Sequence, residues 1–185
     1  MKAIAHHEAG HAVLYARWNL PFDRVEIFTD EHPAPPELKD DYAGLVTSDL
    51  MRDCPTFAMS WHRDFHIDQA HQHWDRLICV SLAGQLAEWN YCRNTGCKMA
   101  AFTGRLDQRE IRFVCRHLMG CPMPYVRDWI ATLRFRTWEL LNQAEVWSAV
   151  TAVAEALLSQ TSLTRAEVRA LVRAPRVPSV RKSHG

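Results

Sequence analysis

The chain has 185 residues, 48% of them hydrophobic and 23% charged, with 7 Gly and 9 Pro. That length suits one domain and that apolar content suits a packed core, which excludes disordered, collagen-like and low-complexity chains. No run of about 18 apolar residues suggests a membrane span, and 22 basic against 21 acidic residues give a net charge of +1. Neither a nucleic-acid nor a membrane partner is therefore expected. In chain order, residues 2–18 read as a helix rich in Ala, His and Glu, uninterrupted until Pro21. Val25 to Thr29 has strand composition, Asp30 to Asp41 reads as a charged, proline-rich loop, and Tyr42 to Thr47 reads as a second strand. Two strands joined by a long polar loop predict a small antiparallel sheet. Residues 48–73 are broken by Pro55 and hold His62, His66, His71 and His73.

From Trp74 to about Asn90, Leu77, Ile78, Leu82, Leu86 and Trp89 recur at helical spacing. A loop is expected from Tyr91 to Gly104. Asp107 to about Leu118 reads as a further helix with Ile111, Val114, Cys115 and Leu118 on one side, ended by Gly120 and Pro122. A long helical region from about Tyr125 to Ser159 is expected to bend near Asn142. Thr164 followed three residues later by Glu167 fits a capping box that opens a last helix with Val168, Leu171 and Val172 on its apolar face. Residues 173–185 carry Arg173, Arg176, Arg181 and Lys182 without an acid and read as a disordered basic tail, leaving one domain over residues 1–172. The expected class is mainly α with a small antiparallel β-sheet.

The six cysteines, Cys54, Cys79, Cys92, Cys97, Cys115 and Cys121, include no C-x-x-C pair. Free thiols are expected, although Cys92 and Cys97 could pair if the loop between them allowed it. The N-terminus enters polar, His-rich sequence without a signal-peptide pattern, so a cytoplasmic location is expected.

Chemistry concentrates in His7-Glu8-Ala9-Gly10-His11, which matches H-E-x-x-H. Positions i and i+4 share one face of a helix, so both imidazoles can bind a single zinc ion. Glu8, on the adjacent edge, can take a proton from a water that zinc makes acidic. Given the composition, a random match arises with a probability of roughly 3%; the alternative is a solvent-facing helix that happens to be His-rich. His6 points about 100° away from His7 and is not expected to be a ligand. His62 and His66 share the same i, i+4 spacing, but no zincin-like Glu follows either, and the cluster reads equally as a solvated polar face.

The segment Ile4 to Val13 resembles the zinc helix of the FtsH-type ATP-dependent metalloproteases. Ser81-Leu82-Ala83-Gly84-Gln85-Leu86-Ala87-Glu88 resembles that family's Leu-Gly-Gly-Arg-x-Ala-Glu-Glu helix, Thr103-Gly104-Arg105-Leu106-Asp107 its Thr-Gly-Ala-x-Asn-Asp segment, and Leu163 to Leu171 its last helix. The matches follow family order across roughly residues 3–172. The resemblance implies a mostly helical peptidase domain and Zn2+ held by His7, His11 and Asp107, with Glu8 as catalytic base. It also implies, by analogy, that an extended peptide adds along Tyr42–Thr47. Asp107 read alone is also a favoured acid at a helix start. Glu88 is expected on the surface of an amphipathic helix, with partnership to a zinc histidine as the other reading.

The chain departs from the family in several places. The paired glycines become Ala83-Gly84, the second Glu becomes Trp89, and the Asn before Asp107 becomes Leu106. No G-x-x-x-x-G-K-[ST] loop is present, so no ATPase motor of that kind is expected. The expected activity is therefore zinc-dependent hydrolysis of peptides or unfolded segments, ATP-independent in itself, with a homo-oligomer or a separate delivery partner as open routes for substrate. The rivals are a catalytically silent zinc-binding relative that regulates or scaffolds, and a metal-free helical protein whose Trp-rich helices bury a partner surface.

Overall fold

A computed structural model describes residues 1–36, 43–47, 67–99, 104, 107–109, 111–112, 115 and 123–174. The order is α1 (Lys2–Arg17), β1 (Arg24–Ile27), β2 (Gly44–Thr47), α2 (Ile67–Thr95), α3 (Met123–Asn142), α4 (Ala144–Gln160), β3 (Ser162–Thr164) and α5 (Arg165–Arg173). The class is mainly helical with one small antiparallel sheet, as the sequence leads one to expect. The predicted basic tail, apart from Arg173 and Ala174, lies outside the described residues.

Helix α1 is the hub. Every residue from Ala5 to Tyr15 is buried, including four that carry ionisable groups, His6, His7, Glu8 and His11. Its small residues are the reason it can be enclosed. A Cβ on Gly10 would stand 2.6 Å from the Ala83 carbonyl oxygen and 2.8 Å from Ala87 Cβ, so α1 and α2 approach nearly backbone to backbone. On its other sides α1 packs against α4, α5 and the sheet.

The sheet has the order β2-β1-β3, antiparallel throughout. Val25 pairs with Val46 on one side and Leu163 on the other, while Ile27 pairs with Gly44. Side chains of a strand alternate between faces, and antiparallel partners share a face. The buried Val25, Ile27 and Leu163 therefore sit with Gly44 on the side that meets α1.

The predicted helices are present with shifted ends. Helix α2 begins at Ile67 rather than Trp74 and continues through Tyr91–Thr95, where a loop is expected. It runs on to Gly96, whose φ of +72° turns the chain out of the helix. Of the predicted α2 stripe, Leu77, Ile78 and Leu82 are buried and Leu86 packs at the core's margin. Trp89 is exposed instead, with the Arg93 guanidinium 4.8 Å above its ring. Residues 107–109 and 111–112 are helical, with Ile111 and Cys115 buried. The break near Asn142 is the junction between α3 and α4.

Strand β3 has no counterpart in the sequence reading, because three residues are too few to show alternation. Its C-terminal residue is also the cap of α5. Thr164 Oγ1 accepts from the Glu167 amide, and the Glu167 carboxylate accepts from the Thr164 amide at 2.8 Å, completing the predicted capping box. The thiol expectation needs one correction. Cys92 and Cys97 are joined in a disulfide across the end of α2, because the turn at Gly96 brings their Cα atoms to 4.6 Å, within bridging range. Cys79 and Cys115 are buried thiols outside that bridge.

The α1–α2 crossing gives a test. Gly10→Ala places a methyl group against backbone that cannot yield, so it lowers unfolding stability in urea by about 1–3 kcal/mol. A neutral or stabilising Gly10→Ala would mean that the helices are not in this close contact.

Candidate metal centre

His7 and His11 lie one turn apart on α1, with ring centroids 4.9 Å apart. Asp107 comes from the chain beyond α2 and faces both of them. Its Oδ2 is 3.2 Å from His7 Nε2 and its Oδ1 is 3.4 Å from His11 Nε2. One candidate ligand atom from each residue fits within a spread of 4.8 Å. A zinc ion with donors at about 2.0–2.1 Å in a tetrahedron separates adjacent donors by about 3.3 Å, close to the two imidazole–carboxylate distances, which run to different oxygens of Asp107.

The tautomers suit an ion as well. His11 Nδ1–H donates to the Val80 carbonyl at 2.7 Å, and His7 Nδ1–H donates to Glu88 Oε2 at 3.2 Å. Both Nε2 atoms thus face the same spot, where neutral imidazoles would direct their lone pairs, the arrangement metal-binding imidazoles adopt. Asp107 Oδ2 is buried and makes no well-aligned hydrogen bond despite its nearness to His7. A buried carboxylate oxygen without a well-aligned partner, facing two imidazole Nε2 atoms, fits a divalent cation.

Helix α2 supplies the floor. A Cβ on Gly84 would overlap His11 Nε2 and stand 2.6 Å from His7 Nε2, so no other residue leaves the ligand atoms their space. Glu88 lies one turn further on and is 0% exposed. The surface position expected for it is thus wrong, and its partnership with His7 is the geometry observed. Val80, Gly84 and Glu88 recur at intervals of four, placing all three on the face of α2 that meets α1.

Electrostatics follow from this enclosure. Burial alone would lower the pKa of His7, but the Asp107 and Glu88 carboxylates outweigh it and push it up to about 10. Burial is likewise opposed at His11 by Asp107, with a net upward shift. At Asp107 burial is outweighed by both imidazoles, and its carboxyl falls well below the usual range. Burial raises the Glu8 carboxyl, against the pull of His7 and His11. Glu8 presses against β2, where a Cβ on Gly44 would come within 2.8 Å of its Oε1.

The other histidines separate from this centre. His6 stacks on Tyr91 at 4.0 Å between ring centroids, and its Nδ1–H donates to the Lys2 carbonyl at 2.8 Å, so it is no ligand, as its helical phase predicts. His62 and His66 lie outside the described residues, as does the side chain of His71. His73 is half-buried with its ring edge-on to Trp74, and burial lowers its pKa. Among the described residues, His7, His11 and Asp107 are the one group of three that could hold a metal ion.

Val80 escapes the sequence reading, and Gly84 enters it only as part of the family-like helix segment, without a role. Gly84 left a signal, since a glycine inside a helix costs about 1 kcal/mol relative to alanine and needs a reason. No protein-family model matches this chain, and no curated protein matches it.

Two outcomes follow. Gly84→Ala abolishes stoichiometric zinc binding, measured by metal content after gel filtration; full zinc retention would mean that the ligand atoms do not converge above Gly84. Ligand imidazoles must be neutral, so a zinc ion bound here would displace the proton that His7 otherwise keeps up to about pH 10. Apparent zinc affinity therefore rises between pH 6.5 and 9, by up to about tenfold per unit for each proton released. A flat profile in a chelator competition would contradict the shared-proton arrangement.

Proposed function

We propose that this chain is a zinc-dependent peptidase of the FtsH type, acting on peptides or unfolded segments without a motor of its own. One observation carries the reading: the buried carboxylate of Glu8, against the edge strand of a small sheet, is electrostatically coupled to all three members of a group that could hold a metal ion. A zinc ion held by His7, His11 and Asp107 supplies Lewis acidity, polarising a carbonyl oxygen and acidifying water. In this reading Glu8 takes one proton from the attacking water as its oxygen bonds to the scissile carbonyl carbon. Glu8 then returns that proton to the amine nitrogen as the C–N bond breaks. With His7, His11 and Asp107 holding the ion, Glu8 would remain as a base beside it.

The strand order β2-β1-β3 puts β2 at an edge, with no partner on its outer side among the described residues. An extended peptide can pair along such an edge through backbone hydrogen bonds. The approach of Gly44 to Glu8 means that a peptide lying on β2 passes close to the catalytic carboxylate. Among the described residues no helix is long and apolar enough to cross a membrane. These 185 residues hold no P-loop, so any motor that delivers substrate lies outside them.

Glu8→Gln keeps the shape and removes the base. Hydrolysis of a denatured protein is expected to fall by at least about 10²-fold at unchanged zinc content. Wild-type cleavage by zinc-loaded Glu8→Gln would refute the catalytic role. Stoichiometric zinc without cleavage by the wild type would favour the silent binding module instead. Absence of bound zinc would favour the metal-free helical protein.

A further inference from the structure

Each histidine of the group has a direct hydrogen-bond partner on α2, but among the described residues Asp107 has none there. We propose that Gln85 is the positioning residue for Asp107, acting through Gly104 and itself held in place by Arg134 of α3. The proposal rests on the metal-centre reading.

The Gln85 side chain lies so close to Gly104 that a Cβ there would stand 3.2 Å from both its Cδ and its Nε2. Gly104 is buried, and its φ of +80° is one that residues with a side chain rarely adopt. Its carbonyl accepts the Gln108 amide at 3.0 Å, closing the first turn of the helical residues that begin at Asp107. The place of Gly104 therefore sets where that turn starts, and with it where the Asp107 carboxylate arrives. On its far side Gln85 Oε1 accepts from Arg134 Nη2 at 3.3 Å, which fixes the plane of the amide. Gln85 is half-buried and Arg134 exposed, so neither belongs to the hydrophobic core. Gln85 follows Gly84 directly. One short run of α2 thus clears space for the ion and seats the residue that supplies its third ligand.

Zinc affinity in competition with a chromophoric chelator tests this, with the visible spectrum of the cobalt-substituted protein as a second readout. Gln85→Ala is expected to weaken zinc binding about 10–100-fold and to lower the intensity of the cobalt bands, at near wild-type stability of the metal-free protein. Gln85→Glu keeps the packing and the Arg134 partner, and is expected to retain affinity within about threefold. Arg134→Ala is expected to add little to Gln85→Ala in the double variant, because both act through one contact. Wild-type affinity and spectrum in Gln85→Ala would overturn the role of Gln85. If Asp107→Ala, made alongside, also left affinity unchanged, the third-ligand reading itself would fall.

Discussion

The structure depends on enclosing two imidazoles and several carboxylates between α1 and α2. Burying an isolated charge costs several kcal/mol, against about 5–15 kcal/mol for the stability of a whole domain. Such groups persist when each meets an opposite charge or a metal, or when burial favours the neutral form, the direction in which it shifts Glu8. Glu88, fully buried, meets His7, and Asp107 meets both histidines. The close helix crossing makes those meetings possible. Ala9 and Gly10 on one side, and Ala83, Gly84 and Ala87 on the other, bring the backbones near enough for short polar side chains to span the gap.

The two helices divide the labour. Helix α1 presents His7, Glu8 and His11, while α2 supplies what orients them: the Val80 carbonyl for His11, the Glu88 carboxylate for His7, and an open space at Gly84. The sheet adds the wall on which Glu8 rests. Its hydrophobic side, Val25, Ile27 and Leu163, is anchored against the helices, so the edge at β2 is held close to the Glu8 carboxylate. The capping box at Thr164 and the hydrogen bond from the Ile27 amide to the Thr161 carbonyl tie the last helix to the same sheet. Distant parts of the chain thus converge on one small volume.

How much was legible in the sequence follows from where each residue's partner lies. His7, Glu8 and His11 share one helix, and their spacing alone states the geometry. Asp107 reaches them from another part of the chain, so the residues gave only a helix-start acid and the ligand role came from family resemblance. Glu88 was misplaced on the surface because an amphipathic pattern with Leu77, Ile78 and Leu82 on one face does not show that a second face is also covered, by a polar stretch of α1. The exposed Trp89 is the converse error, since an aromatic at core spacing stands outside and is shielded by Arg93. The extension of α2 to Thr95 and the Cys92–Cys97 bridge share one cause, because the chain does not leave the helix until Gly96. Strand β3 is formed by pairing with β1, and a three-residue segment carries no period of its own.

The central claim is that two imidazoles of α1 and one carboxylate share a single zinc ion. X-ray absorption at the zinc edge of the loaded protein addresses it most directly. One zinc per chain is expected, with nitrogen and oxygen donors at about 2.0–2.2 Å, outer-sphere scattering from two imidazoles, and no sulfur. Sulfur at about 2.3 Å, or a spectrum without imidazole scattering, would place the metal elsewhere and contradict the site built on His7, His11 and Asp107.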